Sequence, residues 1–600
     1  MSSTETTKHT IHPAFVWIGF GLLFFVLMLR AINAYDIWFL LLAGQYTLDH
    51  MAVPHHEFYL YTAMGQPDLF GGWGYGLIMD LVRRIGGMPG LSFLNAALWS
   101  GFFLTMIMAT RYALQKNISD RFSPKEIICF IISCMFVFAS ILPRTCFRPE
   151  VTLYIIWAIG LIVFEKDRRN NNFKTSLWIF PMLAWIEAWF HTAGPILLLL
   201  PATYAAEHCY YLYQQKTLQP TFRSIYKTCQ PWLLSLCATM VLPCFNPNGI
   251  EQVYSHVGFL LEQLGLTDKI TPALLPSTVP GEHLYNVEYL PAWLNVQNRG
   301  TYIFLSITTL VTLINTERKI HSILSIIPIA AFGILHSRGL GLWGMTLIMP
   351  LATQFNLIWE SIERRLASSP NEASSYFIFP SMIGLLYYTI YIGAITLPVT
   401  TVPFSASAQA IKNAYPNGTN VFAESHLGAV LYWSLGSHYL VSNGAHVMTP
   451  YPETQRHYVA VMRAHPDWQE ELRKYNVNAL VVRTTDYITA VPPPILRHIN
   501  IDKSWILVDK DPEAFTYVKN PPQTPLETAS ERVQSLQTLW STVHKKAKQM
   551  YLDVPFPLTK ATIKLSEARL DLLNDTTLSP EDILTKYEHI EREYLAKKDK

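Results

Sequence analysis

The chain has 600 residues, 50% of them hydrophobic and 13% aromatic, with only 15% charged. That composition excludes a string of ordinary soluble domains and points to a membrane protein. A net charge of +2, with no Arg/Lys block interleaved with aromatics, excludes a nucleic-acid partner.

The first apolar run, residues 14–34, is too long for a secretory h-region. It has Ile32 where a cleavage site wants a small residue, so it reads as a retained anchor. Apolar runs long enough to cross about 30 Å of hydrocarbon recur at about 14–33, 88–110, 126–143, 150–165, 175–190, 192–212, 230–246, 300–315, 320–336, 339–360 and 376–398. The expectation is therefore an all-α polytopic domain of eleven transmembrane helices over residues 1–400. The seven cysteines, Cys129, Cys134, Cys146, Cys209, Cys229, Cys237 and Cys244, lie in or beside these runs without metal-ligand spacing. They read as small core residues, with Cys146 and Cys244 near enough in topology to consider as a disulfide.

Loop charge checks the span count. One set of loops holds Arg111, Lys116, Arg121 and Lys125, then Lys166, Arg168, Arg169 and Lys174, then Lys216, Arg223 and Lys227, then Arg318 and Lys319, then Arg364 and Arg365. The opposite set carries Asp36, Asp49, Glu57, Asp68, Glu251, Glu262, Asp268, Glu282 and Glu288. The basic set is cytoplasmic, which places the N-terminus inside and everything after residue 400 outside the inner (cytoplasmic) membrane of a bacterium. The alternation holds only if residues 71–87 do not cross. Within the first outer loop, 34–87, segments 37–48 and 73–84 then read as interfacial helices, with Trp38, Trp73 and Tyr75 at headgroup level.

Beyond residue 400 the pattern becomes that of an extracytoplasmic α/β domain over 401–520. Strands are expected at 420–424, 438–444, 478–484 and 504–510, and helices at 406–414, 427–435, 453–474 and 492–498. No phosphate-cradling glycine motif occurs in it. Residues 521–600 read as a charged, exposed helical tail, a surface for a protein partner.

Several polar groups sit where chemistry would need them. Asp36 lies two positions after the first apolar run, and the apolar IWFLLL that follows holds it at lipid depth, where a base for a lipid-borne reaction belongs. The same loop adds Asp49, His50, His55, His56, Glu57 and Asp68. A metal at His55–His56–Glu57 is disfavoured because adjacent side chains on an extended segment point apart. The turn PRTCFRPE carries Arg144 and Arg148 beside Glu150, guanidinium forks suited to a lipid phosphate. Glu187 and His191, spaced i, i+4, share a helix face and form a candidate intramembrane pair. His336 and Arg338 make another outer-edge basic pair. FNPNGIEQ reads as a structural turn, and residues 288–300 as a re-entrant or interfacial segment.

The stretches D36-I-W38-F-L40-x-x-G44, V53-P54-H-H-E57-F58, G65-Q66-P67 and W73 resemble the first outer loop of polytopic GT-C glycosyltransferases, the superfamily of protein mannosyltransferases and the lipid A aminoarabinose transferase. R144-x-x-x-R148-P149, W189-F-H191-T-A-G194 and N246-P-N-G249 are similar to later elements of a bacterial branch. The resemblance implies inverting transfer of a sugar from a polyprenyl-phosphate donor to an acceptor on the outer face. It makes Asp36 the base or a metal-associated carboxylate, and Glu57, standing where an Asp is common, a second catalytic candidate. The chain departs from the mannosyltransferases in having Ile37 after Asp36 instead of a second acid.

In that reading Arg144, Arg148 and Arg338 stabilise the leaving phosphate, and the donor enters laterally from the surrounding membrane lipids. No cofactor is named by the sequence, and a divalent cation stays open. Two competing readings are a catalytically inactive GT-C-like scaffold of a cell-envelope complex, recruiting a partner through 521–600, and a transporter of a lipid-linked precursor.

Overall fold

The structure, a computed structural model, describes residues 10–29, 36–141, 145, 147–170, 173–191, 194–214, 222–253, 299–315, 320–335, 339–366, 402–424, 427–443, 451–485, 492–519, 528–553 and 557–598. These fall into two compact units. One takes residues up to 53 and from 69 to the end of the helical region; the other takes 54–68 together with 401–600.

The first unit is helical: α1 Pro13–Met28, α2 Asp36–His50, α3 Trp73–Ala113, α4 Pro124–Ile141, α5 Glu150–Arg169, α6 Lys174–Phe190, α7 Leu199–Gln214, α8 Phe222–Val241, α9 Arg299–Asn315, α10 Ile320–Leu335 and α11 Leu340–Leu366. Each apolar run expected up to 339–360 coincides with a helix, and 376–398 lies outside the described residues. Among the described residues one helix, α3, is long and apolar enough to cross a membrane by itself; α1, 229–244 and 301–310 are shorter apolar helices.

Helix α1 shows how such a helix divides its surface. Val16, Phe20, Phe24 and Leu27 are buried, Phe24 stacking on Phe103 of α3 at 4.1 Å, while Phe15, Ile18, Leu22 and Val26 form an exposed stripe at helical spacing. Helix α3 holds both the segment expected as a separate helix and the apolar run after it. Residues 73–86 and 88–113 are two helices set end to end and parted at Gly87, whose φ of 64° is open to glycine without strain.

The second unit is built on a four-stranded sheet of β1 Asn420–Ala423, β2 Val477–Arg483, β3 Trp505–Lys510 and β4 Ala514–Lys519, in the order β1-β2-β4-β3. β1 and β2 are parallel, with Phe422 opposite Leu480; β2–β4 and β3–β4 are antiparallel. The helices are α12 Ser405–Ala414, α13 Gly428–Leu435, α14 Pro452–Met462, α15 Trp468–Lys474, α16 Pro494–Ile501, α17 Ala529–Asp553, α18 Pro557–Leu573 and α19 Pro580–Lys598.

Four expectations change here. The helix expected over 453–474 is two helices, parted near Ala464 in the left-handed region at φ 50°. HYLVSNG supplies only isolated bridges, from Val441 to Leu60 and to Val421. The strand β4 was not expected. The fourth concerns 521–600: α17–α19 do not hang free, because Val533, Leu536, Leu539, Trp540, Val543, Leu573, Ile583 and Tyr587 share one core with Leu480, Phe515 and Tyr517 of the sheet. Arg569 and Glu591, both buried, pair at 2.5 Å between α18 and α19.

Candidate functional site

The site is assembled at one end of the helical unit by the start of α3. Small residues make this possible. A Cβ on Gly44 would stand 2.1 Å from the Gly76 carbonyl oxygen, so α2 and α3 touch backbone to backbone. A Cβ on Gly74 would stand 2.3 Å from the Trp189 carbonyl oxygen, bringing the last turn of α6 equally close. Trp73 and Trp189 pack at 5.4 Å. On the other side Tyr75 packs against Phe147 at 5.7 Å, and Asn95 Nδ2 donates to the Thr145 carbonyl at 3.0 Å. The first turns of α3 therefore gather three things: the helix that Asp36 opens, the 145–150 turn, and the end of α6.

That gathering puts Arg148, Glu150, Glu187 and His191 in one neighbourhood. Arg148 Nη1 lies 3.9 Å from Glu150 Oε1, with the guanidinium half-buried. Glu187 is wholly buried in the last turn of α6, and His191 caps that helix, its amide donating to the Glu187 carbonyl at 2.8 Å. His191 Nδ1 stands 3.5 Å from Glu187 Oε1, and Thr152 and Glu150 face the same carboxylate. Neither Glu187 oxygen receives a well-formed hydrogen bond, an expensive arrangement for a buried acid.

The turn at 245–249 braces this end. Trp185 Nε1 donates to the Phe245 carbonyl at 2.7 Å, Asn248 Nδ2 to the Phe70 carbonyl at 3.2 Å, and Gln252 Nε2 to the Ala188 carbonyl at 2.7 Å. The structural role expected of FNPNGIEQ matches these contacts.

Architecturally, the chain shares the fold of an archaeal oligosaccharyltransferase. Its structure is similar to that of oligosaccharyltransferase AglB from Archaeoglobus fulgidus in complex with an inhibitory peptide and a dolichol-phosphate, with a TM-score of 0.52 at 10% identity, over 86% of this chain and 75% of that one. The apo form of the Archaeoglobus fulgidus enzyme gives 0.51 at 12% identity, over 88% and 76%. The form tethered to an acceptor peptide containing the NVT sequon gives 0.50 at 12% identity, over 85% and 75%. No family model and no curated protein matches the sequence.

Of the expected site residues, Arg144 and Arg338 lie outside the described residues, as do Cys146 and residues 288–298. Asp36 is the first residue of α2. Asp49 is an ion-pair partner of Arg84, at 2.6 Å. His55 and His56 are exposed. Among the described residues no three His, Cys, Asp or Glu side chains gather as a metal ion needs, so no ligand set is assigned.

Glu57 departs most from expectation. It belongs to the second unit and is 1% exposed; its Oε1 accepts the amides of Phe58, Tyr59 and Leu60 at 2.8, 2.8 and 3.1 Å. A catalytic carboxylate must reach its substrate, and this one is closed off and committed to backbone, so it is a structural acid. Nothing in the spacing of VPHHEF signals that. A second buried chain beside it was also missed: Tyr61 Oη and His457 Nε2 at 2.8 Å, then His457 Nδ1 and Glu471 Oε2 at 3.2 Å.

Proposed function

We propose that the protein is a multi-pass membrane glycosyltransferase that moves a sugar from a polyprenyl-phosphate-linked donor to an acceptor on the extracytoplasmic face. The observation carrying this reading is the gathering of Arg148, Glu150, Glu187 and His191 at the end of the helical unit where α2, opened by Asp36, meets α3. Displacing a lipid phosphate from an anomeric carbon calls for a base to take the acceptor's proton and positive charge to meet the phosphate as it leaves. Asp36 is assigned the first role. Arg148, with Arg144 and Arg338, takes the second, and Glu150 holds the Arg148 guanidinium in place.

Three further facts favour the reading. The large exposed apolar side chains lie almost entirely on the helical unit, among them Trp178, Met182 and Ile186 along α6 and Ile303, Ile307 and Leu310 along α9. Such stripes suit lipid. Helices α3 and α5 carry Arg111, Lys166, Arg168 and Arg169 at the ends opposite the gathered cluster, the charge asymmetry of a cytoplasmic face. The Archaeoglobus fulgidus structure is one with dolichol-phosphate bound, a lipid phosphate of the class proposed here. Eleven spans and a bacterial inner membrane belong to the same proposal.

The test is turnover of a labelled polyprenyl-phosphate sugar in membranes. Asp36→Asn and Arg148→Ala are each expected to lower transfer by at least a hundredfold at unchanged protein level, since removing one well-placed stabilising group costs roughly that much. Full activity in Asp36→Asn would end the assignment of the base.

A further inference from the structure

We infer that Ser235 of α8 is a positioning residue for the Glu187–His191 pair, holding α6 at the point where a proline cuts its hydrogen-bond ladder. The inference rests on the sugar-transfer reading for what the pair does, while its geometry lies wholly within the helical unit.

The joint comes from Pro181, buried midway along α6. Proline has no N–H to give the carbonyl four residues back, and its ring crowds that carbonyl, so the Leu177 oxygen loses its helical partner. Beyond the proline stand Glu187 in the last turn and His191 at the cap. A joint in that position lets the end of α6 swing against its base, and in a membrane the stranded carbonyl finds no water. The replacement donor comes from another helix. Ser235 Oγ, on a buried residue of α8, donates to the Leu177 carbonyl at 2.8 Å.

The same stretch of chain grips α6 beyond the proline as well. Helix α8 runs on through one 3-10 turn, Leu242–Cys244, into the 245–249 turn, which closes on itself as Asn248 N donates to Asn246 Oδ1 at 2.7 Å and Gly249 N to the Asn246 carbonyl at 2.9 Å. From there the Phe245 carbonyl takes Trp185 Nε1, and Gln252 Nε2 reaches the carbonyl of Ala188, the residue after Glu187, both at 2.7 Å. One bond thus lies on the base side of Pro181 and two on the Glu187 side. Residues 235–252 form a splint across the joint.

The last turn of α6 has little slack to lose. With the Trp189 carbonyl 2.3 Å from where a Cβ on Gly74 would stand, a small swing at Pro181 drives that turn into the start of α3 or pulls it away. The splint therefore sets where Glu187 and His191 stand relative to α3 and to Glu150 and Thr152 of α5. A bond that served stability alone could join α6 and α8 at any level; this one meets the carbonyl that the interior of α6 cannot serve.

Turnover of a labelled polyprenyl-phosphate sugar and hydrogen exchange, both on the full-length chain in nanodiscs, test this. Ser235→Ala strands the Leu177 carbonyl and is expected to lower kcat about tenfold with KM for the donor unchanged, and to raise exchange of the 186–191 amides about tenfold while α4 keeps its protection. Ser235→Thr keeps the hydroxyl and should restore both. In Pro181→Ala the Leu177 carbonyl regains a backbone donor, so adding Ser235→Ala to that variant should change either readout by less than about threefold. Unchanged kcat or unchanged 186–191 exchange in Ser235→Ala overturns the inference. So does an equal effect of Ser235→Ala in both backgrounds, or a parallel rise in α4, which would mean general loosening. A wild type that turns over no donor counts against the sugar-transfer reading alone, and the exchange arm then decides the splint.

Discussion

At the scale of single residues, Glu187 is the sharpest case. The sequence places it four positions before His191 on an apolar helix, and that spacing alone predicts that they meet. They do, at 3.5 Å, although His191 has left the helix to cap it. A wholly buried acid with both oxygens poorly served is retained against its cost in stability. Glu187→Met, similar in size and without charge, is therefore expected to stabilise the protein by about 1 to 3 kcal/mol and to lower sugar transfer at least tenfold. Thermal melts in detergent beside membrane turnover check both. A destabilised but active variant would make Glu187 a structural residue. Glu57 shows the limit of reading residues singly. Its place in a motif makes it a catalytic candidate, whereas its surroundings are three amides that follow it in a turn and an Asp eleven residues later. Neither relation has a periodicity that a sequence displays.

Among elements, helices were legible and their joints were not. Length and hydropathy located α1 and α4–α11 well, because the membrane-length apolar run is the strongest signal a chain carries. The GGWGYG stretch has the opposite character. Its glycines lie in or beside the short helical segment before the break at Gly87, where other backbones press close. The two kinds of glycine in α3 separate by mutation. Gly76→Ala places a methyl group 2.1 Å from the Leu40 carbonyl oxygen and should destabilise by about 1 to 3 kcal/mol. At Gly86 nothing lies within 4 Å, so Gly86→Ala should be neutral or stabilise by up to about 1 kcal/mol from helix propensity alone. Equal melting shifts for the two would mean that α2 and α3 do not meet at Gly76. In the second unit the unexpected β4 had a signal after all: DPE is a turn, and the AFTYVK after it is rich in the aromatic and β-branched residues of a strand, here the hairpin partner of β3.

For the molecule as a whole, charge misled where packing decides. Residues 521–600 are rich in Lys and Glu, which reads as a solvated appendage, but three helices can be charged on one face and still close a sheet with the other. Trp540 donates to the Tyr587 hydroxyl at 2.9 Å within the core they share with Leu480 and Phe515. Gln537 reaches the Leu573 carbonyl at 2.7 Å, and Arg532 reaches the Asn500 carbonyl at 2.7 Å. This removes the main support for a scaffold that recruits partners through a free tail. It also changes what truncation should do. A chain stopped after residue 520 would expose the sheet face that Leu536, Leu539, Trp540 and Val543 cover, and losing several buried large side chains at roughly 2 kcal/mol or more apiece exceeds the margin of a typical domain. The truncated protein is expected to lose the protease resistance of residues 402–519, while the full-length chain keeps it. If the truncated α/β unit instead stayed resistant, with its thermal transition unmoved, α17–α19 would be separable from the sheet and the tail would again be available to a partner.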